Sequence, residues 1–124
     1  MMKTLLSLDF QLNHELMTTV RLTTGGICSL AGLDLEETED CKVCVTESLL
    51  LLMHNGYPSA HVSFQEDGGV DVHIEAEGEK HESRISIDEG ISSALLFALA
   101  QDVNMEKEGD CLKSIWFRFV KNGR

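Results

Sequence analysis

The sequence predicts an α+β domain, a two-layer α/β sandwich in which helices cover one face of a mixed, mostly antiparallel sheet. Some segments carry apolar residues at helical spacing, and others alternate apolar with polar residues. The helical segments are apolar on most sides, whereas the strand segments have one polar face, so the helices are expected to cover the other face. At 124 residues the chain is predicted to be a single domain, residues 1–124.

The N-terminal elements are a strand and a helix. The short apolar run at residues 4–10 partly alternates and predicts the first strand. Helical spacing of apolar residues then predicts a helix over residues 13–30, with Asn13 as its N-cap. Gly25 and Gly26 indicate a kink in this helix or an early end.

The second helix, predicted at about residues 34–54, has the clearest signals. Asp34 and Glu37 have the spacing of a capping box, and the acidic residues 36–40 favour a helix start because of the helix dipole. We interpret these acidic residues as a solvated face, with docking of a basic partner as the alternative. Residues 49–53 are apolar on every side, which predicts that this helix lies at the centre of the domain.

Period-two alternation at residues 60–65 and 70–77 predicts a hairpin. Pairing Phe64 with Val70 places the apolar residues of both strands on one face, with a loop of about three residues at 66–68. The other face is acidic and is expected to be solvated.

The C-terminal third contains a possible short strand at residues 84–87, a very apolar helix at residues 91–103, and a terminal hairpin formed by residues 103–105 and 114–120. In the helix, four residues are predicted to belong to the core: Leu95, Leu96, Phe97 and Leu99.

Charge excludes several classes of function. Ten Lys and Arg against 21 Asp and Glu leave a net charge of −11, which disfavours nucleic acid and anionic membranes and favours a basic protein surface. No stretch approaches about 20 apolar residues, and no leader pattern is recognised. We therefore expect a cytoplasmic protein with reduced thiols.

Two side-chain pairs have the spacing of metal or redox sites. Cys41 and Cys44 lie three residues apart within a predicted helix, without a second such pair, so we interpret them as packing or surface thiols. His61 and His73 face each other across the predicted hairpin, and we interpret them as exposed histidines without a bound metal. Trp116 fits an interface anchor and a core residue equally well.

Three segments resemble a known family. Residues 44–57 are similar to the N-box helix of bacterial anti-sigma factors and serine-protein kinases, which are histidine-kinase-like (GHKL) ATPases of the Bergerat fold. Residues 70–78 resemble the strand leading into the Asp-x-Gly-x-Gly box of this family. Residues 90–92 resemble the Gly-x-Gly turn before its last helix. The resemblance covers about residues 6–121 and implies a Bergerat-type fold.

The first box implies a damaged catalytic centre. Glu47 takes the position of the glutamate that orients or activates the attacking group, and is a vestigial candidate base. Leu51 takes the position of the asparagine that binds Mg²⁺, and leucine has no lone pair for a hard cation. The segment from Gly78 to Gly90 is also short for the loop that would cover ATP.

The other two boxes imply a degenerate cofactor site. Ala76 replaces the aspartate that binds the adenine amino group, and Lys80 replaces the second glycine of that box, whereas Gly78 matches the first. In the last box Gly90 matches, but Ser92 replaces the glycine that lets backbone amides approach the phosphates.

Together these losses argue against a nucleotide cofactor. A micromolar ligand has about 8 kcal/mol of binding free energy. A lost buried acceptor costs about 1–3 kcal/mol and a lost metal bridge more, so the expected affinity is weaker than millimolar.

The resemblance thus implies a non-catalytic regulatory module of anti-sigma type that binds a sigma factor or an anti-sigma antagonist. It also implies that the chain can form a homodimer, as family members do. The alternative is an ATP-binding anti-sigma factor with serine-protein kinase activity, using Mg-ATP with Glu47 as base. A metal or thiol sensor based on Cys41 and Cys44, or on the two histidines, is the third interpretation.

Overall fold

A computed structural model describes residues 3–83 and 85–122, which form one five-stranded sheet and three helices. The elements in chain order are β1 (Lys3–Gln11), α1 (His14–Leu30), α2 (Leu35–His54), β2 (Ser59–Glu66), β3 (Gly69–Glu77), α3 (Glu89–Leu99), β4 (Asp102–Glu108) and β5 (Cys111–Val120). This confirms the predicted α+β class.

The sheet has the strand order β1-β2-β3-β5-β4, and each pair of neighbours is antiparallel. The expectation of a mixed sheet is therefore wrong. Helix α3 returns the chain so that β4 runs in the same direction as β3, but β5 lies between these two strands and pairs with both. Because β5 lies between them, β3 and β4 do not pair with each other, and the sheet contains no parallel strand pair within the described residues.

Helix α2 is the central helix, as predicted. It packs against α1 on one side and α3 on the other, and it contacts β3 and β5 of the sheet. Val45, Leu49 and Leu52 have no exposed surface and pack with buried side chains of the sheet such as Phe64 and Phe117. Among the described residues, no helix is long and apolar enough to cross a membrane.

The capping predictions are confirmed. The Asn13 side chain accepts a hydrogen bond from the Leu16 N–H at 2.9 Å. Asp34 and Glu37 form the reciprocal capping box, with both bonds at 2.8 Å. From the sequence we interpret residues 36–40 as a solvated face, but Glu37 is only 3% exposed, so this interpretation is wrong for Glu37. Its carboxylate is buried because it caps the helix.

Helix α1 continues through its two glycines to Leu30, so they do not mark an early end of the helix. The low helix propensity of glycine is outweighed here by packing against α2. A Cβ at Gly25 would lie 3.6 Å from Cδ of Lys42, in ordinary van der Waals contact.

The β2–β3 hairpin is confirmed, but the predicted register is wrong by two residues. Phe64 pairs with Val72 rather than with Val70, whose partner is Glu66. Because side chains alternate with a period of two, a shift of two residues leaves the same side chains on the buried face. The turn contains Gly68 at φ 73°, a conformation that favours glycine.

The connection between β3 and α3 contains no strand within its described residues. Of the strand predicted at residues 84–87, Arg84 lies outside the described residues and 85–87 are irregular. Helix α3 ends at Leu99 rather than near residue 103, because the chain from Asp102 onwards pairs with β5. The terminal hairpin is confirmed and is longer than predicted.

Candidate functional site

The positions singled out by the family resemblance lie on three neighbouring elements. Helix α2 contacts both β3 and α3, so the fold places these elements around one region. The residues are Glu47 and Leu51 on α2, Ala76 at the end of β3, Gly78 just after it, and Gly90 and Ser92 at the start of α3.

Glu47 and Ser92 are joined by a hydrogen bond between α2 and α3. The Ser92 hydroxyl donates to Oε2 of Glu47 at 3.1 Å. Ser92 is 4% exposed, and Glu47 is half-buried. The carboxylate thus has a local structural partner, contributed by the residue at the position of the second glycine of the last box.

Leu51 and Ala76 belong to the hydrophobic core. Leu51 is 1% exposed and Ala76 is 2% exposed, and both pack in the cluster between helices and sheet. Neither side chain has an atom that can donate or accept a hydrogen bond. These two positions can contribute packing, but they offer no ligand to a magnesium ion or to an adenine amino group.

The glycine and lysine positions have structural contacts of their own. Gly78 has a φ of 87°, and a Cβ there would lie 2.5 Å from Cγ of Pro58, so glycine is required for local geometry. The Lys80 ammonium lies against the Cys111 thiol of β5. It is also 5.9 Å from the ring centroid of Tyr57.

The N-terminus of α3 already has an anionic cap. Oδ1 of Asp88 accepts a hydrogen bond from the Ile91 N–H at 3.1 Å. Gly90 lies in this first turn, and a Cβ there would come 3.2 Å from the same oxygen. A carboxylate therefore occupies the place at which a helix N-terminus would attract another anion.

The connection between β3 and α3 (residues 79–88, apart from Arg84) lies against the C-terminal end of α2. The His81 N–H donates to the carbonyl oxygen of Gly56 at 2.8 Å. The Ile87 N–H donates to Nδ1 of His54 at 3.4 Å. A Cβ at Gly56 would lie 1.9 Å from the His81 carbonyl oxygen, so this close approach requires glycine.

A cavity of about 530 Å³ opens where the start of α1 meets the end of α2 and the β3–α3 connection. This volume is typical of small-molecule sites. None of the six positions named above lines it. Sequence reasoning missed this cavity because its walls come from separate segments without a shared motif. The lining includes Leu12, His14, Met53, Tyr57, Pro58, His81, Glu82 and Ile85.

The cysteines of α2 are buried thiols. Cys41 and Cys44 have no exposed surface. A hydrogen bond with Cys28, together with burial, raises the pKa of Cys41 well above its ordinary value. Burial raises the pKa of Cys44 to about 12. Protonated thiols are poor nucleophiles and poor metal ligands, so these residues fit core packing.

His61 and His73 are not opposite each other, which corrects the predicted pairing. His61 pairs with Glu75 across the hairpin, and its Nδ1 lies 2.8 Å from Oδ1 of Asp9. This hydrogen bond lowers the pKa of Asp9. His73 instead packs on Trp116, with ring centroids 6.0 Å apart. The shifted register makes the two histidines diagonal neighbours on the same face of the sheet, where both line one pocket.

Trp116 lies half-buried on the open face of the sheet, between His73 and Arg118. Arg118 also forms two hydrogen bonds with Asp71, at 2.7 and 2.9 Å. Within residues 3–83 and 85–122, no three His, Cys, Asp or Glu side chains are grouped as ligands for a metal ion.

Compared with models of protein families and with curated proteins, the chain matches neither a family nor an individual sequence. The likeness to anti-sigma factors therefore depends on the residues quoted in the sequence analysis.

Proposed function

We propose that the chain is a non-catalytic regulatory module of anti-sigma type, built on a Bergerat-type domain with a degenerate nucleotide site. Its partner in this proposal is another protein, a sigma factor or an anti-sigma antagonist, and a homodimer is compatible with it. The observation that carries the proposal is the burial of Leu51 and Ala76 at 1% and 2% exposure, where the resemblance would require a metal ligand and an adenine acceptor.

These two apolar side chains weaken nucleotide binding because neither can hold the metal ion or the purine ring. Nucleotide binding at micromolar affinity needs about 8 kcal/mol. Without the metal ligand and the adenine acceptor, several kcal/mol of this free energy are lost. The Asp88 carboxylate at the start of α3 adds repulsion toward a phosphate. Without a nucleotide site, such a domain would act through binding at its surface, which supports a protein-binding role.

The second candidate is an ATP-binding anti-sigma factor with serine-protein kinase activity. One observation favours it: Glu47 is half-buried at the contact between α2 and α3, at the position of the family's catalytic glutamate. In this candidate Glu47 is the base that activates the attacking group, and Mg-ATP binds through contacts other than those of the family.

Isothermal titration with Mg-ATP and Mg-ADP separates the two candidates. The proposal predicts no binding tighter than about 0.1 mM, because the purine and the metal lack partners. Mg-tripolyphosphate is the matched control, since it contains the phosphates without the purine. Binding of Mg-ATP tighter than this limit, absent for tripolyphosphate, would contradict the lost site. Phosphate transfer abolished by Glu47→Gln would then support the kinase.

A further inference from the structure

Helix α3 has an unusual surface for a helix at the outside of a domain. Residues 90–100 contain no charged side chain. Leu96 and Ser92 are buried toward α2, at 0% and 4% exposure. On the other side, Ile91 and Phe97 are each 61% exposed. An amphipathic surface helix normally exposes charged or polar residues on this side, so the exposed apolar face needs an explanation.

The exposed apolar residues of α3, together with the half-buried Leu95, form one continuous face. Ile91, Ala94, Leu95 and Ala98 follow the spacing i, i+3, i+4 and i+7, which places them in one stripe along the helix. Phe97 lies beside this stripe. The two alanines leave its middle shallow between larger side chains, a shape that lets the backbone of another helix approach closely.

Acidic residues lie at both ends of this face. At the N-terminus of α3, Asp88 is exposed and caps the helix. The Glu89 carboxylate is instead turned toward α2, where it accepts a hydrogen bond from Asn55 at 3.0 Å and lies 3.7 Å from Nε2 of His54.

Asp102 follows the C-terminus of the helix. Arg118 pairs with Asp102 across the β4–β5 ladder. The two hydrogen bonds with Asp71 and, to a smaller extent, the nearby Asp102 carboxylate raise the pKa of Arg118, so the charge of Asp102 is partly compensated. The helix itself contains no basic residue.

This charge pattern selects among possible occupants. A second copy docked with antiparallel α3 helices would place Asp88 close to Asp102 of the other copy, and both copies carry a net charge of −11. An anionic membrane would be repelled for the same reason. A helix with an apolar face and flanking Lys or Arg matches both the stripe and its acidic ends.

We propose that the α3 face (Ile91, Ala94, Leu95, Phe97 and Ala98) is the docking surface for a basic amphipathic helix of a partner protein. The inference rests on the proposed protein-binding role, and it names the surface and the chemistry of the partner. The apolar stripe supplies the buried area, and the acidic ends raise the rate of encounter with a basic helix.

The test uses a fluorescent peptide of about 18 residues, or about five helical turns, with Leu at the stripe positions and Lys elsewhere. A second peptide with Glu in place of each Lys is its control. Binding to the full chain is measured by anisotropy. The double variant Ile91→Ser, Phe97→Ser removes the exposed face. The matched control is Leu22→Ser, Leu35→Ser, because these leucines are 69% and 78% exposed on other helices.

The proposal predicts that the Lys peptide binds and the Glu peptide does not. The α3 double variant lowers the affinity at least about tenfold, whereas the control double variant changes it less than about twofold. Asp102→Asn weakens binding several-fold, and this effect shrinks at about 0.5 M salt. Each changed side chain is exposed, so all variants are expected to fold.

Several results would overturn the proposal. Equal affinities of the two double variants would show that the peptide does not use the α3 face: unchanged affinities would indicate binding by overall charge, and equally lowered affinities would indicate binding to exposed apolar residues in general. A dimer that dissociates in the Ile91→Ser, Phe97→Ser variant would assign the face to a second copy. Adsorption to phosphatidylcholine vesicles that the same variant abolishes would assign it to lipid. Tight binding of Mg-ATP would contradict the proposed function alone, because the peptide experiment does not depend on nucleotide.

Discussion

Helices α2 and α3 are both strongly apolar, yet their surroundings differ. The second half of α2 is buried between α1, α3 and the sheet, and its Leu49 and Leu52 have no exposed surface. Helix α3 has α2 on one side only, and its Ile91 and Phe97 remain 61% exposed. The comparison shows that apolar composition predicts that a helix tends to be buried. The position of the helix in the helical layer decides whether other parts of this chain can bury it.

The same comparison bears on function. In α2 the apolar residues include Leu51, at the position where the resembling family binds a metal, so this part of the helix serves the core. In α3 the apolar residues that the core does not need face outward. Burial therefore gives the first helix a role in stability, and the exposed face of the second is the surface that we propose for recognition.

The largest difference is expected from truncating one large side chain in each helix. Leu52→Ala should lower the free energy of unfolding by about 2–5 kcal/mol, because it leaves a cavity in a fully buried site. Phe97→Ala should lower it by less than about 1 kcal/mol, since most of the ring is exposed. Urea unfolding with an unchanged m-value measures both. Equal losses would show that α3 is covered as completely as α2.

A smaller effect is expected at the end of α2, where the connection toward α3 crosses it. Gly56→Ala should cost about 1–3 kcal/mol, because φ is 87° and a Cβ would meet the His81 carbonyl oxygen. Gly26→Ala is the matched control inside α1, where nothing lies within 4 Å of the added Cβ. It should stabilise the chain by about 0.5–1 kcal/mol. If Gly56→Ala left the free energy of unfolding unchanged, the connection between β3 and α3 would not pass against Gly56.

The smallest effect concerns the hydrogen bond between the two helices. Ser92→Ala should cost about 0.5–1.5 kcal/mol, because it removes the donor to Glu47 from a site that is 4% exposed. Ser93→Ala, at the half-buried neighbouring position, should change stability by less than about 0.5 kcal/mol. If Ser92→Ala were neutral while Ser93→Ala were costly, the assigned contact between α2 and α3 would be wrong.

Short-range sequence patterns predicted the helices and strands well, but they predicted less well how these elements pair with one another. The capping box of Asp34 and Glu37 and the alternation of the β2–β3 hairpin are short-range patterns, so they could be read from the chain. The register of Phe64 could not, because two registers that differ by two residues bury the same side chains. Turn geometry then decides between them.

Phe97 illustrates a second limit. The sequence predicted it as a core residue with Leu96, but adjacent residues of a helix point about 100° apart, so the two cannot share one face. A helical projection would have identified the exposed stripe. It would not have identified the contact of Glu47 with Ser92, which are 45 residues apart in the chain. It would also have missed the cavity between α1 and α2.

The central claim is that core packing has replaced the nucleotide site in this chain. The most direct test records amide chemical shifts of the ¹⁵N-labelled protein with Mg-ADP added to about 1 mM, well above a micromolar dissociation constant. We predict that the amide signals of Ala76, Gly78 and Gly90 keep their positions throughout the titration. Saturable shifts of these three signals with a dissociation constant tighter than about 0.1 mM would contradict the claim.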